Sequence, residues 1–198
     1  MKQQKDKIIV ITAPSGAGKT TITKHLMKQF SNLAFSVSAT TRTKRHNESE
    51  GKDYYFISKE DFESKIKEDA FLEWEMVYEG AYYGTLISEI NKIWQQQQVP
   101  LLDIDVQGAL RIKKLFPDNT IVIFIAPPSI EILKERLKGR GTESLEAIDK
   151  RFNKATDEMK YMHAFDTIIL NDKLEIACGE AEAIIRLFLQ DQPLKNLN

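Results

Sequence analysis

Hydrophobic and polar positions follow two different periods along this chain. Ile8-Ile9-Val10-Ile11 is an unbroken apolar run of β-branched residues, the pattern of a strand buried on both faces of a parallel sheet. Pro14, Gly16 and Gly18 interrupt it. Ile22, Leu26 and Phe30 then recur at four-residue spacing, which makes one helical face between Thr20 and Phe30. The opening therefore predicts strand, glycine loop, helix. Val99 to Ile104, Ile121 to Ala126 and Thr167 to Leu170 repeat the buried-strand signal, and Pro127-Pro128 stops the second of these. Helical faces are carried by Ile130, Leu133 and Leu137; by Leu145, Ile148, Phe152, Ala155 and Met159; and by Leu174, Ala177, Ala181, Ile184 and Phe188. Strands alternating with helices predict an α/β fold with a parallel sheet.

Residues from about 38 to 97 break that alternation and predict an inserted lobe. A charged stretch from Arg42 to Lys52 leads into Asp53-Tyr54-Tyr55-Phe56. Ser58, with Asp61 three residues on, has the spacing of a capping box and predicts a short helix. In Leu72-Glu73-Trp74-Glu75-Met76 apolar and acidic residues alternate, which predicts a strand with one wet face. Gln95 to Gln98 reads as an exposed helix end.

Composition narrows the function classes. The 198 residues are 42% hydrophobic and 29% charged, which excludes a disordered chain. The formal net charge is −1, far from the basic balance of a protein laid along a nucleic-acid backbone, so an anion site here must be a local cluster. Cys178 is the sole cysteine, which excludes a disulfide framework and predicts a small apolar residue on a helix. There is neither a signal-peptide pattern nor an apolar stretch near the ~18 residues needed to cross a bilayer, and the expectation is a cytoplasmic protein that binds no membrane and no nucleic acid.

Several segments carry candidate chemistry. Ala13-Pro14-Ser15-Gly16-Ala17-Gly18-Lys19-Thr20 follows the P-loop pattern, with Ala13 where the pattern has glycine. Backbone N–H groups and a helix N-terminus cradle phosphates there, Lys19 reaches the outer phosphates, and the Thr20 hydroxyl is placed for Mg²⁺. The effect of Ala13 depends on whether φ is negative at that position. Asp103 and Asp105 end a buried strand. They read as Mg²⁺-holding carboxylates or as helix-capping and salt-bridging ones. Arg42 and Arg45 can fork onto one phosphate, or belong to a solvated loop. Arg136 and Arg140 lie one helical turn apart, with Arg151 beyond, and read as mobile phosphate-closing arginines or as surface partners of Glu131, Glu135 and Glu143. By pattern alone Glu73 is solvent-facing, and Tyr82 and Tyr83 are half-buried packing residues. His25, His46 and His163 show no metal-ligand spacing.

Taken together, these segments resemble the guanylate kinase family along nearly the whole chain. The resemblance rests on the P-loop run, Ser38-Ala39-Thr40-Thr41-Arg42, Gly51-Lys52-Asp53-Tyr54-Tyr55-Phe56, Phe71-Leu72-Glu73-Trp74, Tyr82-Tyr83-Gly84-Thr85, Leu102-Asp103-Ile104-Asp105-Val106-Gln107-Gly108 and Ile125-Ala126-Pro127-Pro128-Ser129. It implies one domain of about 5–190: a P-loop core at 1–37, 99–127 and 160–198, a GMP-binding lobe at 38–98, and a helical lid at 128–159. It implies transfer of the ATP γ-phosphoryl to GMP and to dGMP, with Mg²⁺. ATP would lie on residues 13 to 20, with Asn171 near the adenine. GMP would be held by Ser38, Arg42, Arg45, Tyr54, Glu73, Tyr83, Thr85 and Asp105, with Tyr82 the alternative to Tyr83. Mg²⁺ would lie at Thr20 and Asp103, and Lys19, Arg136, Arg140 and Arg151 would be catalytic. The resemblance assigns no oligomeric state. A GTPase would carry Asn-Lys-x-Asp to read guanine, whereas this chain has Asn171-Asp172-Lys173.

Overall fold

A computed structural model describes residues 7–78, 80–138 and 145–191. Its larger sheet holds β1 (Ile8–Thr12), β2 (Leu33–Phe35), β7 (Val99–Asp103), β8 (Thr120–Ala126) and β9 (Thr167–Leu170). The order is β2-β7-β1-β8-β9, and every pairing is parallel. β1 and β8 are buried along their whole lengths because helices cover both faces. On one face α1 (Lys19–Gln29) and α7 (Leu174–Leu189) pack Ile22, Leu26, Ala181 and Ile184 against Ile9, Ile11 and Ile123. On the other, α3 (Ile87–Gln95) and α4 (Val106–Leu115) pack Ile90, Ala109 and Ile112 against Val10, Leu102 and Val122. Cys178 is buried on α7, where a small apolar residue is expected.

A second sheet lies within residues 39 to 86. It orders β4 (Tyr55–Phe56), β3 (Ala39–Thr40), β6 (Ala81–Leu86) and β5 (Phe71–Tyr78) as β4-β3-β6-β5. β5 and β6 form an antiparallel pair. α2 (Lys59–Lys67) is capped as its sequence predicts: the Ser58 hydroxyl accepts the Asp61 N–H at 3.0 Å. Phe62 of α2 stacks on Phe71 and Tyr82, closing the small core of this sheet.

After β8 come α5 (Ile130–Lys138) and α6 (Leu145–Met159), joined through Leu133, Leu137, Phe152 and Ala155. Arg140 lies outside the described residues. Two elements leave little sequence signal. β2 has three residues, too few for a period, and α4 follows β7 after only Ile104 and Asp105. The topology fixes where ligands go. In an open parallel sheet the loops at the carboxyl ends of the central strands form the crevice, and here those ends carry Ala13 and Asp103. Among the described residues no helix is long and apolar enough to cross a membrane.

Candidate active site

The loop after β1 turns into α1 through two glycines in the left-handed region, Gly16 at φ 95° and Gly18 at φ 100°. A Cβ on Gly18 would lie 2.2 Å from the Asn171 amide nitrogen, so glycine is required by contact as well as by conformation. Ala13 is not among the positive-φ residues and packs into the core, so its methyl is tolerated where the pattern has glycine. The Asn171 side chain is buried and donates to the Ala17 carbonyl at 2.7 Å, bracing the loop from below. The concave side of the loop, from Pro14 to Thr21, is an open cradle at the N-terminus of α1, where partial positive charge favours an anion.

Lys19 projects from that cradle into a second cavity, lined also by Ser38, Tyr54, Glu73, Tyr83, Asp103 and Asp105. It forms a close ion pair with Asp103. Burial works against its charge, but the Asp103 carboxylate outweighs burial and holds its pKa above the usual lysine value. The Thr23 hydroxyl is 3.5 Å from the other Asp103 oxygen, and Thr20 begins the exposed side of α1. The capping and salt-bridging reading of the strand-end carboxylates finds its counterpart: Asp103 pairs with Lys19, and Asp105 caps α4 by accepting the Gly108 N–H at 2.9 Å.

Glu73 departs from its alternation pattern. The pattern makes it solvent-facing, yet it is 5% exposed while Met76 of the same strand is 48% exposed. Both faces of β5 are covered near Glu73. Trp74 packs on Tyr82 on one side, and α4 packs over the other. A Cβ on Gly108 of α4 would come within 2.6 Å of Glu73 Oε2, so this glycine makes the room in which Glu73 lies. The Thr85 hydroxyl donates to Glu73 Oε1 at 2.6 Å. Burial, with Asp105 nearby adding repulsion, pushes the carboxyl up to about 7 against the opposing Thr85 bond.

Tyr82 and Tyr83 are separated by the pleat. Successive residues of a strand point to opposite faces, and Tyr82 goes into the small core with Phe62. Tyr83 faces the cavity, where its hydroxyl accepts Arg42 Nε at 3.1 Å and its ring meets Tyr54 at 5.9 Å. Arg42 lies over the Tyr54 ring at 4.9 Å and grips Glu48 through Nη1 at 2.7 Å and Nη2 at 2.5 Å. Arg45 is exposed at the rim of the wider cleft that also takes in Lys19 and Ser38. From the other side Arg151 Nη2 reaches the Ser15 hydroxyl at 2.5 Å, and Arg136 Nη2 donates to the Asn171 carbonyl at 3.0 Å. Arg151 of α6 thus meets the cradle and Arg136 of α5 the residue that braces it, while Tyr54, Glu73 and Tyr83 line the second cavity, Thr85 lies buried against Glu73, and Arg42 lines the adjoining wider cleft.

Three participants carry no motif of their own. Glu48 gives no signal beyond following Arg45 by three. Gly108 lies inside a quoted segment as one glycine among several. Glu158 sits two helical turns beyond Arg151 on the same face. Burial, with Asp105 adding repulsion, pushes its carboxyl to about 7 against the pull of Lys154 and Lys19.

Comparison with known proteins agrees with this geometry. A family model described as guanylate kinase matches residues 5–187. The chain is 47% identical over 183 residues to the guanylate kinase of Chlorobium chlorochromatii, covering 92% of this chain and 96% of that one. It is 44% identical over 192 residues to the guanylate kinase of Bacteroides thetaiotaomicron, covering 97% and 94%. The crystal structure of guanylate kinase from Anaplasma phagocytophilum superposes with a TM-score of 0.74 at 30% identity, over 93% of this chain and 86% of that one. A phosphate cradle, a cavity ending in a buried carboxylate, and relatives of this similarity along nearly the full length place the chain in the guanylate kinase family.

Proposed function

We propose that the chain transfers the γ-phosphoryl group of ATP to GMP, and to dGMP, giving ADP and GDP. One observation carries the reading: Lys19 lines both the phosphate cradle and the cavity that holds Glu73, so a single cation faces a donor and an acceptor. In this reading residues 1–37, 99–127 and 160–198 form the core, 38–98 the acceptor lobe and 128–159 the lid.

ATP phosphates lie in the loop from Ala13 to Thr20, which Asn171 supports from beneath as part of the ATP site. GMP enters the second cavity. Arg42, Arg45, Tyr54 and Tyr83 take its phosphate. Ser38, Glu73, Thr85 and Asp105 meet its base. Guanine presents N1–H and an amino group side by side, and the acceptor-only carboxylate of Glu73 takes both. Adenine has a lone pair at N1, which would leave a buried carboxylate facing repulsion.

An oxygen of the GMP phosphate attacks the γ-phosphorus in line. The new P–O bond forms as the bond to the bridging oxygen of ADP breaks, and the electron pair leaves with ADP. The attacking oxygen is already anionic, so no strong base is required, and catalysis is positioning and charge stabilisation. Lys19 exchanges Asp103 for the outer phosphates. Arg136, Arg140 and Arg151 close on the transferring group. Thr20 and Asp103 fit Mg²⁺, which binds proteins through one or two oxygen ligands and keeps several waters. Bound there, the ion supplies charge neutralisation on the phosphates.

The test is a panel of GMP, AMP, dTMP and CMP as acceptors, read by ADP release. Turnover with GMP far above the rest is expected, by up to ~10⁴-fold over AMP. Equal rates with AMP would remove the reading.

A further inference from the structure

Glu48 is an anion placed beside a site built for an anion. The loop that carries it folds back on itself. The Glu48 N–H donates to the Arg45 carbonyl at 3.1 Å, and Glu48 Oε2 accepts the Arg45 N–H at 2.8 Å. The same Oε2 accepts Arg42 Nη1 at 2.7 Å, and Oε1 accepts Arg42 Nη2 at 2.5 Å. One carboxylate thus ties together the side chain of Arg42 and the backbone of Arg45. Both members of the ion pair are largely covered, with side chains 15% and 12% exposed.

Counting donors shows what this does to Arg42. A guanidinium has five N–H bonds. Nε is committed to the Tyr83 hydroxyl, Nη1 to Glu48 and the Thr43 carbonyl, and Nη2 to Glu48, which leaves a second N–H on Nη2. While Glu48 stays, a phosphate cannot take Arg42 through a two-bond fork. Either the phosphate displaces Glu48, or Glu48 stays and holds the guanidinium for a single directed bond. Displacement would open the Arg45–Glu48 turn and strand a carboxylate that Arg42 holds down near pKa 2.

We propose that Glu48 is a positioning residue for the acceptor phosphate: it remains on Arg42 through the reaction and fixes the guanidinium against Tyr83 and Tyr54. This rests on the reading of Arg42 and Arg45 as phosphate ligands. Its sign is opposite to simple electrostatics, in which removing a negative charge beside an anion site strengthens anion binding.

The experiment compares Glu48→Gln with the wild-type chain in binding GMP and guanosine, which share a base and differ in the phosphate, and in KM for GMP and ATP. Glu48→Gln keeps the size and loses the charge-assisted fork. The expected result is a loss of ~10-fold or more for GMP, with guanosine binding and KM for ATP within ~2-fold. Tighter GMP binding would mean that Glu48 competes with the phosphate, and unchanged GMP binding that it does nothing there. Equal losses for GMP and guanosine would mean that it only supports the lobe. Each of these overturns the proposal. Glu48→Asp keeps the charge on a shorter stem and should restore part of the GMP-specific loss, giving the same comparison if the amide variant folds poorly. A wild-type chain that binds GMP no better than guanosine would remove the phosphate-site reading itself, and this inference with it.

Discussion

Replacing Glu73 by glutamine should make the empty protein more stable and the enzyme worse, with a pH dependence that identifies the cause. The carboxyl moves from 4.5 to about 7 on folding, chiefly through burial. At about 1.4 kcal/mol per pH step, ionised Glu73 costs the empty protein about 3 kcal/mol. The sign follows from linkage. Below the unfolded value the group is protonated in both states and costs nothing. Between the two values the unfolded chain releases its proton first, and the cost grows. Above about 7 the cost is complete. Glutamine does not titrate, and its carbonyl can still accept the Thr85 hydroxyl, so only the pH-dependent part is removed. The variant should gain little at about pH 5 and about 3 kcal/mol at about pH 8, which is roughly 6–12 °C in Tm for a chain of this size. Glu158 also lies near 7, but it is present in both proteins and cancels in the difference. Urea or thermal unfolding at the two pH values measures this. The same variant should lose much of kcat/KM for GMP, because the amide turns a donor toward a guanine donor, and its preference for GMP over AMP should shrink. A stability difference independent of pH, with the GMP to AMP ratio unchanged, would refute the reasoning.

Other expected outcomes are direct. Lys19→Met should lower kcat by at least ~10²-fold while the chain stays folded, because the ammonium acts on charge that develops in the transition state; near-normal kcat would remove Lys19 from the chemistry. Gly108→Ala puts a Cβ 2.6 Å from Glu73 Oε2 and 3.1 Å from Asp105 Oδ1, so KM for GMP should rise by ~10-fold or more while KM for ATP holds. Unfolding would affect both substrates alike, so equal effects on both would argue against crowding at Glu73. Amides of α5, of α6 and of the second sheet should gain hydrogen-exchange protection when a bisubstrate analogue binds, and unchanged protection in all three would argue against closure.

What the sequence determined by itself is local and periodic. Three strands of the larger sheet, β1, β7 and β8, are legible because residues buried on both faces must all be apolar, as Ile8 to Ile11 are; β9 repeats the apolar signal, but as the edge strand it leaves Ile168 and Leu170 exposed. The phosphate loop is legible because its chemistry depends on backbone conformation, which glycines at fixed spacing announce. Ser58 announces α2 because a cap is a contact between near neighbours. Other features were decided by tertiary structure. Alternation in β5 shows that its two sides differ but not which of them is wet, and α4, brought close by Gly108, covers the side that holds Glu73. The roles of Tyr82 and Tyr83 are divided by the pleat and by where Phe62 lies. Asp103 and Asp105 look equivalent in sequence; one meets Lys19 from another strand's loop, while the other turns back to cap its own helix. Glu48 is one charge among many until the loop closes on Arg42. The division has one physical reason. Backbone conformation and burial leave their pattern in adjacent residues, whereas a carboxylate's pKa and partners depend on groups that only folding brings within a few ångströms of it.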